Sequence, residues 1–291
     1  MPSTPSTPST PSTPSTPSTP SVPSVPPVPS LAYDRSGSGA PLVLVHGLGS
    51  ARTTWFPLMP ALARRYDVIA VDLPGHGDSP ALPRTEPATP GRLAKRLARF
   101  LDELGLDRPH IMGNSLGGWV GLELAADGRA RSFTGLAPAG LWLRPTTRRS
   151  PGLRRSRWLA AATRPLHPLL LRSATVRAIG FASGSARPAE VPYTTALDAA
   201  RAQAGSTGYF AALDGTLGIR FDRATAISGD VPVTAIFGDH DRILPAPNLQ
   251  ERSLLPGHAR WVSLVDCGHA PQWDAPGAVV RELVRTTSAV D

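Results

Sequence analysis

Short apolar runs bounded by turn residues recur along this chain and alternate with longer helical stretches. The runs fall at residues 41–46, 66–72, 110–112, 132–137, 231–237 and 260–265. A strand with one wet face alternates apolar and polar residues. These runs do not alternate, so they read as strands covered on both faces. Residues 53–64, 89–104, 116–126, 247–255 and 276–286 read as helices. In the second of these, Leu93, Leu97, Phe100, Leu101 and Leu104 share one side. Such alternation predicts an α/β fold: a mostly parallel sheet with helices on both faces.

One interval breaks the rhythm. About ninety residues separate the strand ending near Ala137 from the one starting near Val231, where an ordinary connection takes roughly 2–6. Helical patterns of its own, at 158–171 and 192–212, mark it as an inserted subdomain. The expected organisation is a core of 31–143 and 225–291, a helical insertion of 144–224, and a tail of 1–30.

The tail is six copies of Pro-Ser-Thr followed by a Pro-Ser-Val-rich stretch. A proline at every third position removes backbone donors, and little apolar surface is available to bury, so an extended or disordered tail is expected. It lacks the basic and apolar regions of a secretory signal, which points to a cytoplasmic location. No run approaches the roughly 18 apolar residues that a membrane-spanning helix needs, so stable membrane insertion is not expected. The single cysteine, Cys267, excludes an internal disulfide framework and a multi-cysteine metal cluster.

The net charge of +8 is unevenly distributed. Residues 128–189 hold 12 Arg and no Asp or Glu, while the rest of the chain is mildly acidic. A uniformly basic nucleic-acid binder is thereby excluded. The arginines of the insertion, Arg148, Arg149, Arg154, Arg155 and Arg157, read either as a solvated face or as a site for an anionic partner. A thioester of coenzyme A or a carrier protein and a membrane surface are two such partners; nucleic acid fits least, because few aromatic residues interleave.

The densest chemical signal is Gly113-Asn-Ser115-Leu-Gly117, with an apolar strand before it and an apolar helix after it. A serine on such a turn stands above the sheet edge at a helix N-terminus, where negative charge is favoured. Its hydroxyl needs a base to become a nucleophile. Of seven histidines, His269 follows the last strand, in the loop position from which a base reaches that serine. A third group must orient the base. The loop after the run at 231–237 offers two acids, Asp239 and Asp241, and the order Ser, Asp, His suits this topology.

These motifs together resemble the α/β-hydrolases that carry a cap domain, over residues 31–291. His46-Gly-Leu48-Gly is similar to their oxyanion loop, and Gly238-x-x-Asp241-x-x-x-Pro245 to their acid loop. Gly268-His269-x-Pro271, with Asp274-x-Pro276, resembles the histidine loop. The resemblance implies a cofactor-independent serine esterase acting on a small-molecule acyl substrate. It implies Ser115 as nucleophile, His269 as base, and Asp241 rather than Asp239 as its partner. The backbone amides of Leu48 and Leu116 would form the oxyanion hole, and no metal is implied. His46 and His76 become loop-shaping residues, and Cys267 a small core residue.

The chain departs from several branches of that family. Ser115 stands where epoxide hydrolases and haloalkane dehalogenases carry an Asp, and Leu48 offers a halide no side-chain donor. Gly-Asn-Ser and Gln272-Trp273 resemble carbon–carbon hydrolases, but Ala270 stands where those carry a Trp. Acyl thioesterases, cofactor-free haloperoxidases and a non-catalytic ligand-binding protein on the same fold are the other readings. The edge strand that usually precedes residues 32–35 is missing, its place taken by the repeat.

Overall fold

The structure, a computed structural model, describes residues 3, 30–147 and 151–290. The tail of 1–30, apart from residues 3 and 30, and Arg148 and Arg149 lie outside the described residues.

Seven strands form one sheet: β1 (Tyr33–Gly37), β2 (Ala40–Val45), β3 (Tyr66–Val71), β4 (His110–Asn114), β5 (Ser132–Leu136), β6 (Val233–Gly238) and β7 (Arg260–Leu264). Their order is β1-β3-β2-β4-β5-β6-β7. β1 runs antiparallel to β3, and every other pairing is parallel. β1 is the sheet's edge among the described residues. Every residue of β4, β5 and β6 is buried, and polar side chains among them find partners there, His110 with Ser132 and Thr234 with Thr286, each at 2.8 Å.

The helices are α1 (Met59–Leu62), α2 (Pro90–Glu103), α3 (Leu116–Ala126), α4 (Pro151–Ala162), α5 (His167–Leu170), α6 (Ala174–Gly180), α7 (Tyr193–Gly205), α8 (Tyr209–Asp214), α9 (Pro271–Asp274) and α10 (Pro276–Thr287). Successive strand residues point to opposite faces, which divides the core in two. Val43, Val45, Ile111 and Phe133 pack with Leu93, Leu97 and Phe100 of α2 and Trp119 of α3. Leu42, Leu44, Met112 and Ile236 pack with Trp55, Leu58, Leu62 and with Val279 and Leu283 of α10. Thr89 caps α2 by accepting from the Arg92 amide at 3.3 Å, with Pro90 at the first helical position.

Four helical expectations are corrected. Residues 53–64 give only a 3-10 turn (Arg52–Trp55) and the short α1, because Pro57 cannot donate the bond that would join them. Residues 247–255 contain no α-helix, only a 3-10 turn at Arg252–Leu254. Their backbone bonds across to another segment: the Leu143 amide donates to Asn248 O at 2.9 Å and the Glu251 amide to Leu141 O at 2.6 Å. Residues 158–171 are broken into the end of α4, a 3-10 turn (Arg164–Leu166) and α5, at Pro165 and Pro168. Residues 192–212 split into α7 and α8, where the Gly208 amide leaves the helix to donate to Gly75 O at 2.8 Å.

Because β2, β4, β6 and β7 are parallel, the loops after all four open at one end of the sheet. Those loops carry Leu48, Ser115, Asp241 and His269. Helices α4 to α8 lie between β5 and β6 in the chain and have a small apolar cluster of their own, built on Leu171, Val191, Ala196 and Leu197. None of the described helices is long and apolar enough to cross a membrane.

Candidate active site

Ser115 sits between the last residue of β4 and the first of α3 with φ 53° and ψ −116°. A non-glycine residue there stores on the order of 1–3 kcal/mol of strain and stays only if its surroundings hold it. The Ser115 amide donates to Leu136 O at 2.9 Å. The Ser115 carbonyl accepts from the Trp119 and Ala139 amides at 3.1 and 2.9 Å. The turn is tight enough that a Cβ on Gly117 would collide with the Val45 carbonyl, and one on Gly113 with the Gly117 carbonyl. The two glycines of the motif are thus needed for close approach of backbones.

His269 and Asp241 are both buried, and His269 Nδ1 lies 2.9 Å from Asp241 Oδ2. A carboxylate can only accept, so the proton sits on Nδ1 and leaves Nε2 as the ring's acceptor. The other carboxylate oxygen, Oδ1, accepts from the Ile243 and Leu244 amides at 2.9 and 2.8 Å. Burial pushes the Asp241 carboxyl up, but the His269 hydrogen bond and charge and the two amides outweigh it, so the group is held below the usual range. Asp239 instead bonds its neighbour His240, Oδ1 to Nδ1 at 2.7 Å.

Ser115, His269 and the Leu48 loop line one cavity of about 210 Å³, with Phe181, Gln203, Tyr209 and Trp273 among its other walls. Among the described residues, no Asp, Glu, Lys or Arg lines it. Leu116 opens α3, and the amides of a helix's first turn have no acceptor inside the helix. The Leu48 amide donates to no protein acceptor among the described residues. Both are therefore free to donate to a ligand atom. No group of three or more His, Cys, Asp or Glu among the described residues could hold a metal ion.

The loops are fixed from beneath by buried polar groups. His46 is fully buried; its Nδ1 bonds Gly47 O at 2.8 Å, and its Nε2 accepts from the Leu73 amide at 2.9 Å. His76 is packed 5.3 Å from it, ring to ring. Burial lowers His46 to about 4 and, with the neighbouring ring, His76 to about 3, so both are neutral at pH 7 and stay outside the proton chemistry. Depressed folded-state values mean that the unfolded chain binds protons first as the pH falls. The stability these groups confer is complete above the unfolded value of 6.5 and is lost below it. Lowering the pH from about 7 to about 5 should cost about 2 kcal/mol per histidine. Melting curves at the two pH values should show the loss, and His76→Gln should remove about half of it, leaving the His46 share; an unchanged pH dependence in that variant would remove His76 from the account.

Three contacts around the site escape sequence reading. Asn114, next to Ser115, donates from Nδ2 to Leu136 O and to His269 O, each at 3.0 Å, and its Oδ1 accepts from Gln272 Nε2 at 3.3 Å. Asp274 Oδ2 accepts from the Gly268 and Ala186 amides at 2.7 and 2.9 Å, and Arg187 donates to Asp274 O at 2.5 Å. The histidine loop is thereby tied to the end of β4 on one side and to the inserted helices on the other. Tyr209 of α8 covers the Leu48 loop so closely that a Cβ on Gly49 would meet its ring at 2.6 Å. The motifs drew attention to Asn114, Gln272 and Asp274 but not to the partners they bond; Arg187 and Tyr209 carried no signal in the sequence.

The remaining singled-out residues lie apart from the cavity. Cys267 is buried and its thiol is pushed up to about 12, by burial first and by the Asp274 and Asp239 charges; a neutral thiol is a poor nucleophile. Arg154 pairs with Asp214 at 3.4 Å and lies over the Phe210 ring, and Arg157 donates to Ser206 O at 3.2 Å. Arg155 is exposed.

Comparison with known proteins follows the same lines. An enol-lactonase from Burkholderia xenovorans LB400 superposes with a TM-score of 0.67 at 25% identity, over 89% of this chain and 96% of that one. Epoxide hydrolase EphH of Mycobacterium tuberculosis is 34% identical over 203 residues, 66% of this chain and 91% of the relative. The dihydrolipoyllysine-residue acetyltransferase component of an acetoin cleaving system from Cupriavidus necator is 41% identical over 111 residues. That alignment spans 37% of this chain and only 29% of the relative. The model of the Alpha/beta hydrolase family matches residues 42–282, and this chain belongs to that family.

Proposed function

We propose that the protein is a serine hydrolase that cleaves an uncharged, ester-like acyl substrate through an acyl-enzyme on Ser115. Nε2 of His269 takes the Ser115 proton as Oγ attacks the acyl carbon. The Leu48 and Leu116 amides stabilise the oxyanion, a charge that exists only once the tetrahedral intermediate forms. His269, now charged and held by Asp241, gives the proton to the departing alkoxide. Water then repeats the cycle on the acyl-enzyme, releasing the acid and restoring Ser115. The inserted helices, 144–224, act as the cap, supplying Phe181, Gln203 and Tyr209 to the cavity wall.

One arrangement carries this reading: a serine on a strained turn and a histidine bonded to a buried carboxylate open onto one neutral cavity. A neutral cavity suits an uncharged acyl group, because no buried charge there must be paired.

The relative EphH raises epoxide opening as the competing reaction. Serine chemistry argues against it. A carboxylate that opens an epoxide leaves an ester that water can cleave, whereas Ser115 Oγ would leave an ether, which water does not cleave under these conditions. The enzyme should therefore turn over p-nitrophenyl acetate or butyrate and leave styrene oxide unchanged. Steady production of the diol from styrene oxide would overturn the assignment.

A further inference from the structure

We propose that the outer face of α4 and α5 is a docking surface for an anionic lipid bilayer, and that it holds the enzyme at the membrane–water interface without spanning it.

Ten large apolar side chains are exposed among the described residues, and five of them fall between Trp158 and Ile179. In α4, Arg155, Trp158, Leu159 and Ala162 are exposed. Their spacing of i, i+3, i+4 and i+7 puts all four on one side of the helix. Leu153 and Ser156, on the flank of α4 turned from that side, line the cavity of Ser115. Both α4 and α5 pack on α7, so Leu166 and Leu169, about half and two-thirds exposed, also lie away from the interior. A soluble surface that presents Trp and Leu together in this way marks an interaction site.

Charge selects the partner. Residues 128–189 contain no acidic residue. Several of the arginines there are engaged in the fold, as Arg154, Arg157, Arg177 and Arg187 are. Arg155 of α4 and Arg172 just after α5 are exposed and form no ion pair among the described residues, whereas Arg164 shares the lining of a separate cavity with Asp198 and Arg201 of α7. Guanidinium groups interleaved with Trp and Leu are the pattern of an interfacial amphipathic helix: the rings and branched chains enter the acyl boundary while the cations pair with lipid phosphates. A protein partner with a dry apolar patch would leave these cations without counter-charge. A neutral ester dissolved in the bilayer would then reach the cavity past the inner face of the same helix.

The experiment is co-sedimentation of the full chain with vesicles of phosphatidylcholine containing 30% phosphatidylglycerol, beside vesicles of pure phosphatidylcholine. Binding to the anionic vesicles is expected, together with release at high salt. Each arginine at the surface is worth about fivefold in partition at low salt, so Arg155→Gln/Arg172→Gln should weaken binding by about 25-fold. Trp158→Ser/Leu159→Ser should weaken it at least about tenfold, while leaving the cleavage of soluble p-nitrophenyl acetate unchanged. Ser115→Ala should bind vesicles as the parent does, which separates this surface from the catalytic assignment. Equal binding to neutral vesicles, no binding to either, or wild-type binding by both surface variants would overturn the proposal. So would concentration-dependent dimerisation that Trp158→Ser/Leu159→Ser abolishes, since a second copy would then occupy the face.

Discussion

Ser115→Ala should reduce ester hydrolysis by about 10⁴- to 10⁶-fold, the range seen when a nucleophile that works in concert with its base is removed. The backbone offers no substitute. The elbow is fixed by bonds to Leu136, Trp119 and Ala139 that do not involve the hydroxyl, so the variant should keep its fold and its melting temperature. Replacing a strained serine by alanine removes one oxygen and leaves φ and ψ to the same restraints. A loss of activity accompanied by loss of structure would therefore not support the assignment; loss of activity with an unchanged melting curve would. The Cys267 thiol is buried and neutral and provides no second nucleophile.

Asp241→Asn should cost about 10⁴-fold in kcat, by trapping the wrong histidine tautomer. The surroundings decide how the amide would sit. Two backbone amides, from Ile243 and Leu244, already donate to Oδ1. The asparagine oxygen keeps that place, because turning the NH₂ group there would set donor against donor. The NH₂ then faces His269 and makes Nδ1 the acceptor. The ring proton moves to Nε2, the atom that has to take the proton of Ser115. Asp239→Asn should stay close to the parent, since that side chain is bonded to His240. If the two variants exchange behaviour, the pairing of acid and base proposed here is wrong.

Much of this was legible in the chain. β2 announces itself because its Leu42–Val45 run is apolar at every position, as a strand covered on both faces favours, and α2 because its leucines and phenylalanine return with helical spacing. The reading failed where local pattern and tertiary demand diverge. Residues 247–255 look helical, yet their backbone groups are claimed by residues 141–143, more than a hundred positions away. Prolines at 57, 165 and 168 cut apolar runs whose side-chain spacing alone suggested longer helices. Ser115 and His269 stood out because each follows a strand in a glycine-bearing turn, whereas Asp241 was preferred to Asp239 only through the family resemblance. The partners of Asn114 and Asp274, and Arg187 altogether, could not be picked out. Their role is to join segments distant in sequence, as with the 155-residue span from Asn114 to His269, and no local pattern encodes such a partner.

The acyl-enzyme itself is the most direct test of the account. The enzyme, mixed with a slowly deacylating p-nitrophenyl ester and quenched in acid within one turnover, should gain the mass of a single acyl group. Proteolysis should locate that mass on the peptide containing Ser115, and a fluorophosphonate should label the same peptide. An acyl group found on another residue, or multiple turnover with no covalent species and no fluorophosphonate adduct, would contradict the account.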